Sequence, residues 1–555
     1  MSEFFTELLS KLKYDSDSPL IFTDYVFWVF FAFVLLVYSF IYKKNYARNA
    51  FLFVASLYFY YKTSGFFFYI LLFSTAVDFG IGHWIYNTPK KLHKQLLVAL
   101  SVTVNLSVLF YFKYAYFFAD MLANTLGLEV EVVNHFAQMS NSWFGTDFIE
   151  DKILLPVGIS FFTFQTISYS VDIYRGLIKP VRNPLDFGFY VSFFPQLVAG
   201  PIVRASEFIP QLYQKYTLDK KTFGLGVFWI LNGLLKKVLL ADYIAVNFVD
   251  RVFENPLMHT GFENMMALFG YSIQVYADFS GYTDMAIGIA LLLGFQLPVN
   301  FNSPYKASSV GEFWKRWHIS LSTWLKDYLY IPMGGNRKGS IFSYASMFTI
   351  LLSLSLLSSS WVLPVICASV VAVSGVLSQL SKKFRHWLEN NINIMLTMLL
   401  GGLWHGSSWN FVVWGGLNGA GLVVFKLWKR ISPWNDKSKW YFRAWGILLT
   451  FVFITFTRTW FRNESFENAR IMLNQIGTSF SLELAPDILL GFWKVFVVMG
   501  VGMIIHWLPS SFKHMYRQRF IQLHWSLQIL ISVVSVFAAY QVLSAQLQPF
   551  IYFAF

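Results

Sequence analysis

Residues 391–428 have the sequence NINIMLTMLLGGLWHGSSWNFVVWGGLNGAGLVVFKLW, which consists of two apolar runs on either side of a polar turn that contains His405. The first run, 391–404, is short for a membrane span, because a helix of that length covers only about 20 Å. The second run, 408–428, has the length of about 20 mainly apolar residues that a spanning helix needs. The stretch predicts a membrane hairpin with a histidine at its tip.

The composition of the whole chain agrees with a membrane location. Of the 555 residues, 56% are hydrophobic and only 13% are charged, which is about half the charged share of soluble proteins. Aromatic residues make up 20%, and Trp and Tyr favour the two interfaces of a bilayer. We therefore expect an all-α polytopic integral membrane protein.

Apolar runs of helix length recur along the chain. We expect helices near 22–42, 48–62, 65–87, 96–120, 153–171, 222–247, 262–294, 342–358, 361–379, 408–428, 443–461, 488–507 and 525–547. A shorter piece, 186–200, is expected to be re-entrant, since Pro195, Gly200 and Pro201 would break its helix.

The run 262–294 is longer than a bilayer requires. A straight helix of this length would extend over about 50 Å, and Asp278, Gly281 and Asp284 lie near its middle. We expect this helix to be broken or bent near Gly281. The two aspartates could line a polar cavity, bind a cation or pair with basic neighbours, and structural pairing is favoured.

The formal net charge of +13 comes from basic residues between the apolar runs. Basic loops that face anionic lipid head groups explain this charge, so no nucleic-acid partner is expected. The positive-inside rule puts both termini outside the cytoplasm, with external loops at 121–151 and 463–487. The acidic residues before the first run, and its length, argue against a cleavable signal. These residues are Glu3, Glu7, Asp15 and Asp17.

The single cysteine, Cys367, allows neither an internal disulfide nor a cysteine-based metal site. No phosphate loop, HExxH or GxSxG signature is present. Chemistry must then come from other polar residues inside apolar surroundings, which are functional hypotheses by default.

Two histidines are the main candidates. His405 lies among glycines, which let a substrate or backbone approach closely, and a histidine can accept and return a proton near neutral pH. His318 follows the basic, Trp-rich sequence Phe313-Trp314-Lys315-Arg316-Trp317. The alternatives are a packing or capping role for His405 and an interfacial amphipathic helix around His318, instead of a mouth for an anionic donor.

Several ordered blocks between Leu154 and Gly419 resemble the membrane-bound O-acyltransferase (MBOAT) superfamily, and in it the bacterial alginate O-acetyltransferase-like group. The blocks are LPVGISFFTFQ at 155–165, FPQLVAGPI at 194–202, DFSGYTD at 278–284, NFNSPY at 300–305, WHIS at 317–320 and WHG at 404–406.

The resemblance implies a ring of tilted helices around a central channel, with re-entrant segments. It implies that His405 and His318 are catalytic, His405 deep in the channel and His318 on its cytoplasmic side. Substrate or donor binding is assigned to Trp404, Asn410, Trp317, Lys315, Arg316, Asp278 and Asp284. It also divides the chain into N-terminal transmembrane helices with an external loop (1–152), a catalytic core (153–430) and C-terminal transmembrane helices (431–555).

The implied reaction is O-acetylation of an extracytoplasmic, alginate-like polysaccharide by a protein of the bacterial inner membrane. The acyl donor is expected to be acetyl-CoA or an acyl carrier protein, with no bound cofactor and no metal. A periplasmic SGNH-hydrolase-like partner is expected to complete the transfer. The open alternatives are another acceptor (peptidoglycan, cellulose, a teichoic-type polymer or a lipid) and, in a different class, a transporter or flippase.

Overall fold

The structure, a computed structural model, describes residues 12–15, 19–146, 148–357, 361–432 and 439–542. All regular elements in these residues are helices. Glu3, Glu7, Asp17 and the end of the last expected span, 543–547, lie outside the described residues.

The α-helices of seven or more residues are numbered in chain order. They are α1 (Tyr25–Ile41), α2 (Asn45–Ser64), α3 (Phe68–Asn87), α4 (Lys91–Leu109), α5 (Ala115–Leu126), α6 (His135–Phe144), α7 (Ile159–Tyr174), α8 (Pro184–Ser192), α9 (Lys220–Leu235), α10 (Gly261–Leu292), α11 (Ile319–Leu325), α12 (Ile341–Leu357), α13 (Val362–Leu380), α14 (Lys382–His405), α15 (Trp409–Ile431), α16 (Trp440–Arg462), α17 (Phe466–Thr478), α18 (Ala485–Gly491), α19 (Trp493–Trp507), α20 (Ser510–Gln522) and α21 (Trp525–Val542).

Six helical segments of the described chain are long and apolar enough to cross a membrane. They are Asn45–Asn87, Lys91–Leu126, Lys220–Glu254, Trp409–Ile431, Trp440–Arg462 and Trp525–Val542. A pair bent by 88°, Leu482–Gly491 with Trp493–Trp507, makes a seventh if it forms one broken span. The chain is therefore an all-α, multi-pass membrane protein, as its composition predicts.

Helix α10 contradicts the expected break near Gly281, because it runs unbroken over Gly261–Leu292. The glycine serves close packing instead. A Cβ on Gly281 would lie 2.7 Å from the carbonyl oxygen of Gly233 on α9, so the two helices touch through their backbones. The aspartates that suggested a break are paired with lysines that follow α9.

A hairpin of α14 and α15 replaces the short piece expected at 391–404. Helix α14 starts far earlier, where the Ser381 side chain accepts a hydrogen bond from the Phe384 amide. The two helices meet closely, since a Cβ on Gly402 would lie 2.3 Å from the Phe411 carbonyl oxygen. Only Gly406–Ser408 separate them, so His405 stands at the tip of the hairpin, as expected.

The segment 186–200 is buried and irregular. Helix α8 ends at Ser192, and a short second helix, Phe194–Leu197, carries Pro195 in its first turn. The break that the prolines and glycine predict is therefore present, at Phe193, two residues before Pro195. The expected external loops are partly helical, since 121–151 contains α6 and 463–487 contains α17 and the start of α18.

Candidate active site

His405 is the last residue of α14 and is 3% exposed. The carbonyl groups at this helix end have no partner within the helix. Lys113 satisfies two of them, since its Nζ donates to the carbonyl oxygens of Trp404 at 2.7 Å and His405 at 3.0 Å. The Tyr114 hydroxyl donates to the Leu403 carbonyl oxygen at 2.8 Å. These bonds fix the backbone that carries the His405 ring.

Lys113 and Tyr114 are consecutive residues that reach the same helix end. On a regular α-helix such neighbours point in different directions. Here they belong to a π-helical turn, Phe110–Tyr114, between α4 and α5. Turns of this kind are frequent at functional sites.

Aromatic rings surround the His405 imidazole. Its ring centre lies 5.0 Å from that of Trp404, 5.1 Å from that of Trp414 and 5.3 Å from that of Phe461. These rings contribute to the burial of the imidazole of His405, which is 3% exposed.

His318 lies beside His405, with ring centres 6.3 Å apart. It is fully buried and adopts a left-handed backbone conformation with φ of 43°, directly before α11. A histidine in this region is uncommon and its conformation is strained, and such strain clusters at functional sites. The two motifs that contain these histidines, distant in sequence, meet in one place.

Asn300 lies against Nδ1 of His318 and favours a proton on that nitrogen. The Asn300 Oδ1 accepts hydrogen bonds from the Ser320 amide (3.1 Å) and hydroxyl (2.7 Å) and lies 3.3 Å from His318 Nδ1. Because this oxygen only accepts, the assigned geometry requires a proton on Nδ1. Nε2 of His318 is then the basic nitrogen.

His405 lines two small cavities. One has a volume of about 80 Å³ and is bounded by Lys113, residues 155–161, Val198 and Trp404. The other, of about 20 Å³, is lined by Trp317, Trp414, Asn418, Arg458 and Phe461, among others. A larger groove of about 810 Å³ between α15 and α16 contains neither histidine. His405 is therefore common to the walls of both small cavities.

Some of the predicted binding residues line the cavities at His405, and others do not. Trp404 and Trp317 each line one of the His405 cavities. Asn410 instead donates to the carbonyl oxygen of Asn463 at 2.7 Å, which ties α15 to the end of α16.

The two basic residues before His318 stand apart from the cavities. Lys315 is exposed. Arg316 pairs with Glu312 at 2.9 Å and donates to the Asn302 carbonyl oxygen. Burial raises the pKa of Glu312, but hydrogen bonds from Ser308 and Arg316 outweigh it and hold this pKa below its ordinary value.

The two aspartates of α10 are also placed away from the cavities. Asp278 pairs with Lys237 at 2.5 Å, and Asp284 pairs with Lys236 at 2.6 Å. Both lysines belong to the π-helical turn Lys236–Asp242 that follows α9. Structural pairing, the favoured alternative, is what the structure contains.

Three residues near the histidines were not singled out from the sequence: Lys113, Asn300 and Arg458. For the two cations a signal was present, because each is a charge inside an expected apolar span, 96–120 and 443–461. Asn300 lies in a quoted motif, but only the fold shows its contact with His318.

His318 and His405 are thus buried side by side in a helical membrane protein, and His405 lines two cavities. A profile of MBOAT, the membrane-bound O-acyltransferase family, matches residues 92–357. This range contains His318 but ends before His405.

Similar proteins agree with this match. The chain is 39% identical to a probable alginate O-acetylase AlgI of Azotobacter vinelandii, over 60% of this chain and 53% of that protein. It is 33% identical to a peptidoglycan O-acetyltransferase of Helicobacter pylori, over 78% and 76% respectively. It is 26% identical to a teichoic acid D-alanyltransferase of Bacillus subtilis, over 54% and 67%.

The chain belongs to the membrane-bound O-acyltransferase family, since a relative above 30% identity is matched over most of its length. The match spans about half the length of the Azotobacter relative.

Proposed function

We propose that this protein is an O-acyltransferase that moves an acetyl group from a cytoplasmic thioester to a hydroxyl of an extracytoplasmic, alginate-like polysaccharide. The observation that carries the proposal is the pair His318 and His405, with ring centres 6.3 Å apart and with two cavities lined by His405. The names of the relatives support the same chemistry and differ in the acceptor.

His405 is the general base in this proposal. It takes the proton of the attacking hydroxyl, which belongs to the polysaccharide or to an intermediate acceptor, while the hydroxyl oxygen bonds to the thioester carbonyl carbon. The carbon–sulfur bond then breaks, and the proton passes to the leaving sulfur. Catalysis of this kind contributes about 10²–10⁴-fold. Lys113 contributes by holding the carbonyl groups of Trp404 and His405.

His318 acts as a second acid–base group. With Nδ1 hydrogen-bonded to Asn300, its Nε2 can accept a proton from a group that lies between the two rings. Trp404 and Trp317 shape the two cavities, and Lys315 is the more accessible cation for the donor's phosphates.

The donor is acetyl-CoA or an acyl carrier protein, and no bound cofactor takes part. The protein resides in the bacterial inner membrane with both termini outside the cytoplasm. A periplasmic SGNH-hydrolase-like partner completes transfer to the polymer. Peptidoglycan is the second candidate acceptor, because the Helicobacter peptidoglycan O-acetyltransferase is matched over 76% of its length.

The proposal is tested in a host that lacks its own acyltransferase, with the neighbouring periplasmic partner expressed alongside. Ester-linked acetate on the envelope polysaccharide is measured for the wild type and for His405→Ala, at equal protein in the membrane. We expect acetate with the wild type and none with the variant. Equal acetate from both would refute the mechanism. No acetate from the wild type with either acceptor would favour a transporter.

A further inference from the structure

Arg458 is a buried cation whose role the reaction scheme above leaves open. It lies on α16, is 4% exposed and lines the 20 Å³ cavity together with His405. Phe461, three residues further along the same helix, packs against the His405 ring. Residues three apart share a helix face, so Arg458 and His405 are directed to the same small space.

The contacts of Arg458 hold it in place without neutralising it. Its Nη1 donates to the Tyr305 hydroxyl at 2.8 Å, and its guanidinium lies 4.8 Å from the centre of the Trp317 ring. Tyr305 in turn donates to the Ser272 carbonyl oxygen. Among the described residues, no carboxylate lies within 4 Å of Arg458, although such partners exist for Lys236, Lys237 and Arg462.

A buried charge without an opposite charge is costly in a membrane protein and marks a functional site. A guanidinium has five N–H donors, and Tyr305 is its one hydrogen-bond acceptor in the described chain. Arg458 therefore has donor capacity left for a ligand with negative charge.

The size of the cavity indicates which part of a ligand fits. A space of about 20 Å³ is close to the minimum that holds one water molecule. It accepts a single oxygen atom and is too small for a phosphate or a sugar. The ligand group is thus one oxygen that carries, or acquires, negative charge next to His405.

We propose that Arg458 is a catalytic residue that binds the thioester carbonyl oxygen and stabilises the negative charge formed on it. This inference rests on the proposed function. When the hydroxyl oxygen bonds to the carbonyl carbon, the carbonyl π electrons move onto that oxygen. When the carbon–sulfur bond breaks, the electrons return and the thiol leaves with the proton held by His405. Arg458 keeps its charge throughout.

The experiment compares Arg458→Gln and Arg458→Lys with the wild type in the host described above. Arg458→Gln removes the charge, and its amide nitrogen ends two bonds short of the Nη atoms of arginine, so the donor no longer reaches the same position. Loss of one oxyanion donor lowers turnover by about 10²–10³-fold, and we expect Arg458→Gln to lose ester-linked acetate by that factor. Arg458→Lys keeps the charge but not the planar fork, and an intermediate rate is expected. All rates are initial rates per amount of protein in the membrane.

Arg462→Gln is the matched control. Arg462 lies one helical turn further on the same helix, but it pairs with Asp250 and lines neither cavity. We expect this variant to retain acetylation within about threefold, the range of a surface-type change. The melting temperatures of all variants are measured in detergent.

The outcomes separate the inference from the proposed function. Acetylation by the wild type and by Arg458→Gln at similar rates overturns the role of Arg458 and leaves the function intact. Equal losses of both acetylation and melting temperature in Arg458→Gln and Arg462→Gln also overturn it, since both arginines would then be structural. A wild type that adds no acetate overturns both.

Discussion

Two groups of buried charge in this protein are compensated in different ways. Between α9 and α10, Lys236 and Lys237 are paired with Asp284 and Asp278. Around His405, Lys113 meets backbone carbonyl groups, and Arg458 meets a tyrosine hydroxyl and aromatic rings. The residues of the described chain supply no carboxylate to either of the central cations.

This difference distinguishes charges that stabilise the fold from charges that are available for a reaction. Charges that are paired within the protein hold helices together and have little capacity left for a ligand. Charges that lack an opposite charge retain that capacity, and their cost persists only where function requires it. Sequence reasoning favours structural pairing for Asp278 and Asp284, although it also names them as candidate binding residues, and it overlooks Lys113 and Arg458.

The largest effect on acetylation is expected at His405, which lies beside the two cations that lack a carboxylate partner. His405→Gln keeps a polar side chain of similar size but cannot act as a base. We expect acetylation to fall by about 10²–10⁴-fold with an unchanged melting temperature. Ester-linked acetate and thermal unfolding in detergent are measured on the same preparations. If His405→Gln retained its acetylation activity, the group of charges around His405 could not be assigned to chemistry, and the comparison with the paired charges between α9 and α10 would fail.

The paired group is expected to respond in stability instead. Lys236→Met leaves Asp284 as a buried charge whose remaining bond comes from Asn232, and we expect a loss of about 3–5 kcal/mol in the free energy of unfolding. The double variant Lys236→Met/Asp284→Leu removes both charges and is expected to recover most of this loss.

The free energy of unfolding in detergent and the ester-linked acetate are both measured for the wild type, the single variant and the double variant. If the single variant unfolds like the wild type but loses acetylation, the pair belongs to the site and the comparison fails.

Asn300 provides an intermediate case, because it acts on His318 through a hydrogen bond. Asn300→Ala removes the acceptor that holds a proton on Nδ1, and we expect acetylation to fall by less than the loss of about 10²–10⁴-fold expected for removal of the general base. Asn300→Asp keeps an acceptor at that position and is expected to retain more activity. Similar losses in the two variants, with equal protein in the membrane, would show that the tautomer does not matter.

The smallest effect is expected for Arg316, which is partly exposed and paired with Glu312. Arg316→Ala should lower stability by about 0.3–0.5 kcal/mol and leave acetylation within about threefold. Since the folded pKa of Glu312 is depressed, the pair's contribution is present above the unfolded pKa. It is lost as pH falls through the folded pKa.

Unfolding of the wild type and Arg316→Ala is therefore compared at neutral and acidic pH. A large loss of acetylation in Arg316→Ala would restore the predicted role of this residue in donor binding.

Much of the fold could be predicted because lipid-facing helices require long apolar runs. The hairpin tip at His405 and the break in 186–200 were also predicted, since glycine and proline mark such positions locally. The continuous course of α10 was not predicted. The same residues, Asp278, Gly281 and Asp284, fit either a break or a close helix contact, and only the partner helix decides between them.

The sequence by itself determined that this is a multi-pass helical membrane protein with two histidine motifs of an acyltransferase family. Tertiary structure decided which charges are neutralised, that His318 and His405 are neighbours, and that Lys113 and Arg458 flank them. The physical reason is the distance along the chain over which each effect acts. Hydrophobicity and helix-breaking residues act within one segment, whereas charge compensation depends on groups that are far apart in the chain and meet only in the folded protein.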